Sequence, residues 1–152
     1  MLDRSPFELS GGQKRRVAIA GVLAMEPAYI VLDEPAAGLD PQGRRDMEKL
    51  LRRLHEDPNR TLVMISHSMD DVARLCDRLL VMEHGRVALV GTPVEVFRES
   101  EALSRIGLDL PEGEKLARML RKAGYAIPEG TFDPVELARA VAEQIKGGDA
   151  NA

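Results

Sequence analysis

Three side chains that could do acid–base chemistry follow two apolar runs of the sequence. Asp33 and Glu34 come at the end of the run Tyr29–Asp33, YIVLD, and His67 comes directly after the run Thr61–Ser66, TLVMIS. In α/β folds, ligands bind at the sheet edge where the carboxyl ends of parallel strands meet. We therefore expect the two carboxylates and the imidazole to lie together at one edge of a sheet.

Each of these three side chains suits a different part of phosphoryl-transfer chemistry. Asp33 can hold Mg²⁺ through water, because this ion prefers oxygen ligands and gives up its own waters reluctantly. Glu34 points the other way from the strand end and can orient a water as a general base. His67 can donate to charge that develops on a transferred phosphoryl group. A purely structural acid pair is disfavoured, since adjacent buried acids are costly unless they are paired or metal-bound.

The segment Leu9–Gln13, LSGGQ, precedes an apolar helical run and could hold an anion. Ser10 can cap a helix that runs to about Met25. The N-terminus of a helix presents unpaired N–H groups and about half a positive charge, and Gly11 and Gly12 let a phosphate come close. An ordinary glycine-rich helix cap is the alternative interpretation. The three cations that follow are each expected to be solvated: Lys14, Arg15 and Arg16.

The elements that must position these groups alternate between strand and helix. The two unbroken apolar runs predict strands that are buried on both faces, as in a parallel sheet. An amphipathic helix is expected from about Gln42 to His55 with Asp40 as its cap, and Ser68 caps the next helix. From Leu79 the pattern predicts a hairpin, after which Thr92 begins a capping box. The pattern as a whole predicts an α/β layer fold for residues 1–99.

The composition changes near residue 100. Residues 100–146 are predicted to form a small helical appendage, in which Asp133 caps the last helix. The final residues, 147–152, are expected to be a disordered tail. One helix of the appendage is predicted to bury a stripe of four residues: Leu116, Met119, Leu120 and Ala123.

Composition and charge exclude several classes of protein. Of the 152 residues, 44% are hydrophobic and 30% are charged, which is typical of a globular protein in water. No apolar run of about 18 residues is present, so we expect any membrane role to go through a partner. The net charge of −4 lacks the basic excess of a nucleic-acid binder, and no nucleic-acid partner is expected. The single cysteine, Cys76, fits a reducing cytosol.

Four motifs, in order and at the family's spacing, resemble those of ABC-type ATPases. They are LSGGQ (Leu9–Gln13), similar to the signature motif; YIVLDEP (Tyr29–Pro35), similar to Walker B; AGLD (Ala37–Asp40), similar to the D-loop; and SH (Ser66–His67), similar to the switch histidine. The longer phrase LSGGQKRRVAIAGVLAMEP, with GLDLP (Gly107–Pro111), is more particularly similar to energy-coupling factor ATPases, which power importers of cobalt, other metals and vitamins. The resemblance implies the C-terminal part of a P-loop NTPase sheet with flanking helices, followed by the helical appendage.

The resemblance also assigns a role to each candidate residue. Asp33 would coordinate Mg²⁺ through water, Glu34 would polarise the attacking water, and His67 would contact the γ-phosphate of ATP. Asp40 would cross the interface with a second ATPase subunit, in a homo- or heterodimer. Four signature residues would approach the γ-phosphate of an ATP held by that second subunit: Ser10, Gly11, Gly12 and Gln13.

The phosphate loop of the family, G-x-x-x-x-G-K-[ST], has no match in the sequence. The nearest stretch, GLDLPEGEK from Gly107 to Lys115, fails in spacing and lacks the following Ser or Thr. We therefore expect a truncated ATPase that shows no steady ATP turnover by itself, although its signature could complete a site on an intact partner. Missing strands would also leave an uncovered apolar edge of the sheet.

The leading hypothesis is the ATPase subunit of an importer for a cobalt-like metal ion or a vitamin. Such a subunit would lie at the cytoplasmic face of the cell membrane, bound to an integral membrane transporter subunit. One alternative is a non-transport ABC-type ATPase that acts in DNA repair or on ribosomes, although residues 102–145 resemble the appendage of the transport family. The other is a non-catalytic module that docks on a full-length ATPase.

Overall fold

A computed structural model of the chain describes residues 8–149. The chain divides after His67 into two compact units, which we call the first unit (residues 8–67) and the second unit (residues 68–149). The first unit contains α1 (Gly11–Leu23), β1 (Tyr29–Asp33), α2 (Pro41–His55) and β2 (Thr61–Ile65). Strands β1 and β2 pair in parallel, in a register that sets Tyr29 opposite Thr61 and Asp33 opposite Ile65.

Local sequence signals explain where the helices of the first unit begin. Ser10 caps α1, and Asp40 caps α2 with Pro41 in its first turn, as predicted. The apolar stripe of α2 is buried through Met47, Leu51 and Leu54. The strand and helix assignments of the first unit are therefore confirmed to within one or two residues.

The prediction that both strands are buried on both faces is wrong for the described residues. Along β1, the exposed fraction is 75% for Tyr29, 3% for Ile30 and 65% for Val31. Val63 and Ile65 of β2 are also exposed. Side chains alternate between the two faces of a strand, so within residues 8–149 only one face of this sheet is covered.

The second unit continues the chain with one hairpin and five helices. Its elements are α3 (Met69–Leu75), β3 (Leu79–Glu83), β4 (Arg86–Gly91), α4 (Pro93–Arg98), α5 (Ser100–Arg105), α6 (Glu112–Lys122) and α7 (Pro134–Asp149). Strands β3 and β4 pair antiparallel about His84 and Gly85, which both have positive φ. Positive φ at both central residues is what a two-residue hairpin turn of type I′ requires. The predicted hairpin and the capping box of α4 are both confirmed.

The predicted apolar stripe of α6 is wrong in part. The buried residues of this helix are Gly113, Glu114 and Ala117, whereas Met119 is 67% exposed and Leu116 is also exposed. Burial of Glu114 is possible because its carboxylate accepts a hydrogen bond of 2.8 Å from Nε of Arg118 and lies 3.5 Å from Nη1 of Arg121. Ala117 packs with two apolar side chains, Ile127 and Leu137, in the core of the second unit.

The predicted boundary between residues 1–99 and the appendage 100–146 stays a prediction. Helix α7 continues to Asp149, three residues into the segment 147–152 that was expected to be disordered. Once a helix has formed, each further residue adds a hydrogen bond at little cost. Within residues 8–149, no helix is sufficiently long and apolar to span a lipid bilayer.

Candidate functional site

The parallel register brings the carboxyl ends of β1 and β2 together. The N–H of Glu34, the first residue after β1, donates to the carbonyl of Ile65 at 2.9 Å. His67 follows two residues after Ile65, so its imidazole and the Glu34 carboxylate meet at the same sheet edge. The sequence predicted this proximity from the ends of the two apolar runs.

Glu34 and His67 are joined by two contacts. Oε1 of Glu34 accepts the backbone N–H of His67 at 2.9 Å and lies 2.5 Å from Nδ1 of the same residue. The Glu34 side chain is 29% exposed and the His67 side chain is 83% exposed. A half-buried carboxylate is thus held at the strand end beside an imidazole that faces solvent.

The electrostatic surroundings keep Glu34 ionised at neutral pH. Loss of solvent is the largest single influence on the pKa of Glu34, and it acts to raise that pKa. The hydrogen bonds from His67, together with the charges of His67 and Arg15, outweigh it and hold the pKa below its ordinary value of 4.5. The carboxylate is therefore an acceptor, and both described contacts go to Oε1, which leaves Oε2 able to orient a water.

Asp33 has an exposed side chain at the last position of β1. Nowhere in residues 8–149 do three His, Cys, Asp or Glu side chains come together in a group that could hold a metal ion. One carboxylate still suits Mg²⁺ when phosphate oxygens and waters supply the other ligands. Asp33 therefore fits a magnesium ion that arrives with a nucleotide, and it does not fit a metal site made of protein ligands alone.

The N-terminus of α1 is closed by a reciprocal pair of hydrogen bonds. Oγ of Ser10 accepts the N–H of Gln13 at 3.3 Å, and Oε1 of Gln13 accepts the N–H of Ser10 at 3.0 Å. The cap by Ser10 was predicted, whereas the part of Gln13 was not. The spacing S-x-x-Q is itself the signal of a capping box and would have revealed it.

The two glycines of this turn have different surroundings. Within residues 8–149, a Cβ added at Gly11 would meet nothing within 4 Å, so these residues leave the backbone there open to an approaching ligand. A Cβ added at Gly12 would lie 3.2 Å from Cδ2 of Leu39. Gly12 therefore contacts the segment 34–40, which connects β1 to α2 and which we call the β1–α2 loop.

Asp40 is the last residue of the β1–α2 loop. Its Oδ1 accepts the N–H of Gly43 at 2.7 Å, which confirms the predicted cap of α2. Its predicted place at an interface between subunits stays a prediction.

Sequence reasoning missed the role of Arg15. Nη1 of Arg15 donates to the carbonyl of Pro35 at 3.2 Å and to that of Ala37 at 2.5 Å, both in the β1–α2 loop. The expectation that this cation is solvated is therefore wrong. Arg16 forms an exposed ion pair of 3.5 Å with Asp46. The sequence holds no signal for this difference, since three adjacent cations look alike until the helix is packed.

Known proteins that are similar to this chain belong to ABC transporters. The family model for the ABC transporter, ABC_tran, matches residues 1–37. The chain is also similar to the solved structure of cbiO1 from Clostridium perfringens, described as part of the ABC transporter complex cbiONQ. That similarity has a TM-score of 0.57 and 46% identity, and it covers 76% of this chain and 46% of the other. The chain is therefore similar to ATPases of ABC transporters, and its fold is that of a part of such an ATPase.

More particularly, the chain is similar to energy-coupling factor transporter ATP-binding proteins named EcfA2. It is 54% identical over 152 residues to the protein of Symbiobacterium thermophilum. This alignment covers 98% of this chain and 52% of the relative. It is 51% identical over 146 residues to the protein of Clostridioides difficile. This second alignment covers 95% of this chain and 51% of the relative. The chain spans about half the length of the curated relatives it matches.

Proposed function

We propose that the chain supplies the signature, Walker B, D-loop and switch-histidine part of the ATP-hydrolysing subunit of an energy-coupling factor importer. The contact between Glu34 and His67 carries the proposal. It places a carboxylate that is ionised at neutral pH beside an exposed imidazole, at the strand ends where α/β folds bind ligands. The names of the relatives support the transport class.

In this proposal the residues at the strand ends have different roles in ATP hydrolysis. Glu34 orients the attacking water through Oε2 while Oε1 stays bonded to His67. Asp33 would hold Mg²⁺ through water, and this ion would supply positive charge that neutralises the phosphates of a bound nucleotide. The chain's own groups therefore supply the base and the metal contact for one nucleotide.

The bond to Glu34 also defines how His67 can act. An ionised carboxylate only accepts hydrogen bonds, so Nδ1 of His67 must carry the proton between them. We infer that His67 contacts the γ-phosphate through Nε2, because Nδ1 is bonded to Glu34.

The signature turn serves a second nucleotide. Ser10, Gly11, Gly12 and Gln13 form the N-terminus of α1, whose N–H groups and open space at Gly11 suit a γ-phosphate held by a second ATPase subunit. Asp40 lies at the interface of that homo- or heterodimer. We propose that the subunit works at the cytoplasmic face of the cell membrane, bound to an integral membrane subunit. The cargo of this class is a cobalt-like metal ion or a vitamin.

The test is a chimaera in which these 152 residues replace the matching part of the Symbiobacterium thermophilum relative. We expect hydrolysis of ATP that requires Mg²⁺. The substitution Glu34→Gln should lower kcat by about 10² to 10⁴-fold, because it removes the general base. Glu83→Gln is the matched control, since Glu83 is an exposed acid at the end of β3. Hydrolysis that is unchanged by Glu34→Gln would contradict the proposal.

The 152-residue chain alone provides a second test. Its sequence has no G-x-x-x-x-G-K-[ST] loop to hold the phosphates, so we expect no steady ATP turnover from it. Hydrolysis by this chain that disappears with Glu34→Gln would show that the strand-end residues bind ATP without such a loop.

A further inference from the structure

Arg15 connects two motifs that lie far apart in the sequence. It stands on α1, two residues after the signature glutamine Gln13. Its guanidinium reaches the β1–α2 loop, where one nitrogen, Nη1, donates to the carbonyls of both Pro35 and Ala37. These carbonyls lie one and three residues beyond Glu34, so the loop is held directly next to the proposed base.

A second contact joins the same two segments. The backbone of Gly12, in the first turn of α1, lies close enough to Leu39 that an added Cβ would come within 3.2 Å of its side chain. The β1–α2 loop is therefore held at Pro35 and Ala37 by hydrogen bonds and at Leu39 by packing. Both contacts come from the same helical end that carries the signature motif.

The loop itself needs such support. Glu34 has a φ of 47°, a left-handed conformation that costs a residue with a side chain about 1 to 2 kcal/mol. Such a conformation persists only where the surroundings enforce it. The internal bonds of the loop are long, at 3.2 Å from the N–H of Ala37 to Glu34 and 3.4 Å from the N–H of Leu39 to Ala36.

We propose that Arg15 is a positioning residue that fixes the β1–α2 loop against the signature end of α1. Its catalytic consequence rests on the proposed function. An anion held at the N-terminus of α1 would then be mechanically linked, through Arg15, to the backbone that orients Glu34. The signature turn facing one nucleotide and the base facing the other would move as one body.

A lysine cannot replace Arg15 fully. Lysine is a point charge on a flexible stem, whereas guanidinium N–H groups are fixed in a plane. Arg15→Lys keeps the charge near Glu34 but holds the two carbonyls less well, and Arg15→Ala removes both effects. Arg16→Ala is the matched control, because it removes an equal charge from the next residue, whose only described bond is an exposed pair with Asp46.

The first experiment measures hydrogen exchange in the full 152-residue chain, with no nucleotide. Arg15→Ala should speed exchange of the Ala37 and Leu39 amides by about tenfold or more, which corresponds to the loss of hydrogen bonds to a charged group. Arg15→Lys should give a smaller increase, and Arg16→Ala should give none. Equal exchange rates of the Ala37 and Leu39 amides in Arg15→Ala and Arg16→Ala would overturn the proposal. This outcome does not depend on whether the protein hydrolyses ATP.

The second experiment measures kinetics in the chimaera. Arg15→Ala should lower kcat about tenfold while KM for ATP changes less than twofold, because Arg15 orients the base and does not touch ATP. Arg15→Lys should recover part of kcat. Unchanged kcat in an active, Glu34-dependent chimaera would refute the positioning role and leave the proposed function intact. If the parent chimaera shows no Glu34-dependent hydrolysis, the proposed function and the catalytic consequence of Arg15 both fail, and exchange alone decides whether Arg15 holds the loop.

Discussion

Gly113 lies in the first turn of α6, at a point where an added methyl group has no room. A Cβ built there would come 1.8 Å from the carbonyl oxygen of Phe132 and 2.6 Å from the carbonyl carbon. A carbon and a carbonyl oxygen in ordinary contact are about 3.3 Å apart. The substitution Gly113→Ala must therefore move α6 away from Phe132 by about 1.5 Å, because backbone atoms cannot rotate aside as a side chain can.

The expected loss of stability depends on the packing that this movement disturbs. Forcing an extra carbon into a packed site costs about 1 to 3 kcal/mol. Where Phe132 moves as well, its edge-to-face packing on Phe97, with ring centroids 5.5 Å apart, is disturbed at a cost of up to about 1 kcal/mol. Alanine returns up to about 1 kcal/mol through its helix propensity. The last two contributions roughly offset each other, so we expect Gly113→Ala to lower the free energy of unfolding by about 1 to 3 kcal/mol.

The assay is urea unfolding of the 152-residue chain followed by circular dichroism, with hydrogen exchange in α6 to localise the loss. Gly21→Ala is the matched control, because Gly21 is also helical and an added Cβ there would meet nothing within 4 Å. It should raise stability by about 0.5 to 1 kcal/mol. The reasoning is refuted if Gly113→Ala is as stable as the unchanged chain, or if its loss of protection falls outside the second unit.

Three further predictions use the same unfolding assay. Asp40→Ala should lower stability by about 1 kcal/mol through loss of the α2 cap, whereas Asp40→Asn should not, since Asn caps equally well; equal losses in both would contradict the capping role. Because the pKa of Glu34 is below 4.5 in the folded chain, its contribution to stability is complete above that pH and is lost as the pH falls through the folded pKa. The unchanged chain should therefore lose more stability than Glu34→Gln between pH 6 and pH 3, and parallel curves would argue against it. Glu114→Ala should cost about 2 kcal/mol by leaving Arg118 and Arg121 without their shared carboxylate, and a neutral result would mean that solvent replaces it.

Local signals predicted the positions of the elements well, because those signals act over a few residues. Ser10, Asp40, Ser68 and Thr92 each cap the helix that they were expected to cap. Burial was less predictable. An unbroken run such as Tyr29–Asp33 says only that both faces could be covered, and which face is covered depends on the segments packed against it.

The α6 stripe failed for a related reason. Helical periodicity ranks residues by their hydrophobicity and placed Met119 inside. The structure buries Glu114 instead, since Arg118 and Arg121 bond its carboxylate, and it buries Gly113 because Phe132 needs close approach. Ion pairing and close backbone contact are properties of the packed chain, and no periodicity in the sequence encodes them.

The proposed base illustrates what sequence motifs omit. The motif places Glu34 after a strand and before Pro35, and a residue before proline normally takes an extended conformation. Glu34 instead has a φ of 47°. Contacts with three residues hold this position: Ile65 accepts the N–H of Glu34, His67 donates to its carboxylate, and Arg15 donates to the carbonyl of Pro35. Arg15 belongs to α1 and Ile65 to β2, and His67 follows β2 by two residues. Strain that three residues maintain is consistent with the proposed role of Glu34 as a base, which requires its carboxylate to be aimed at a water.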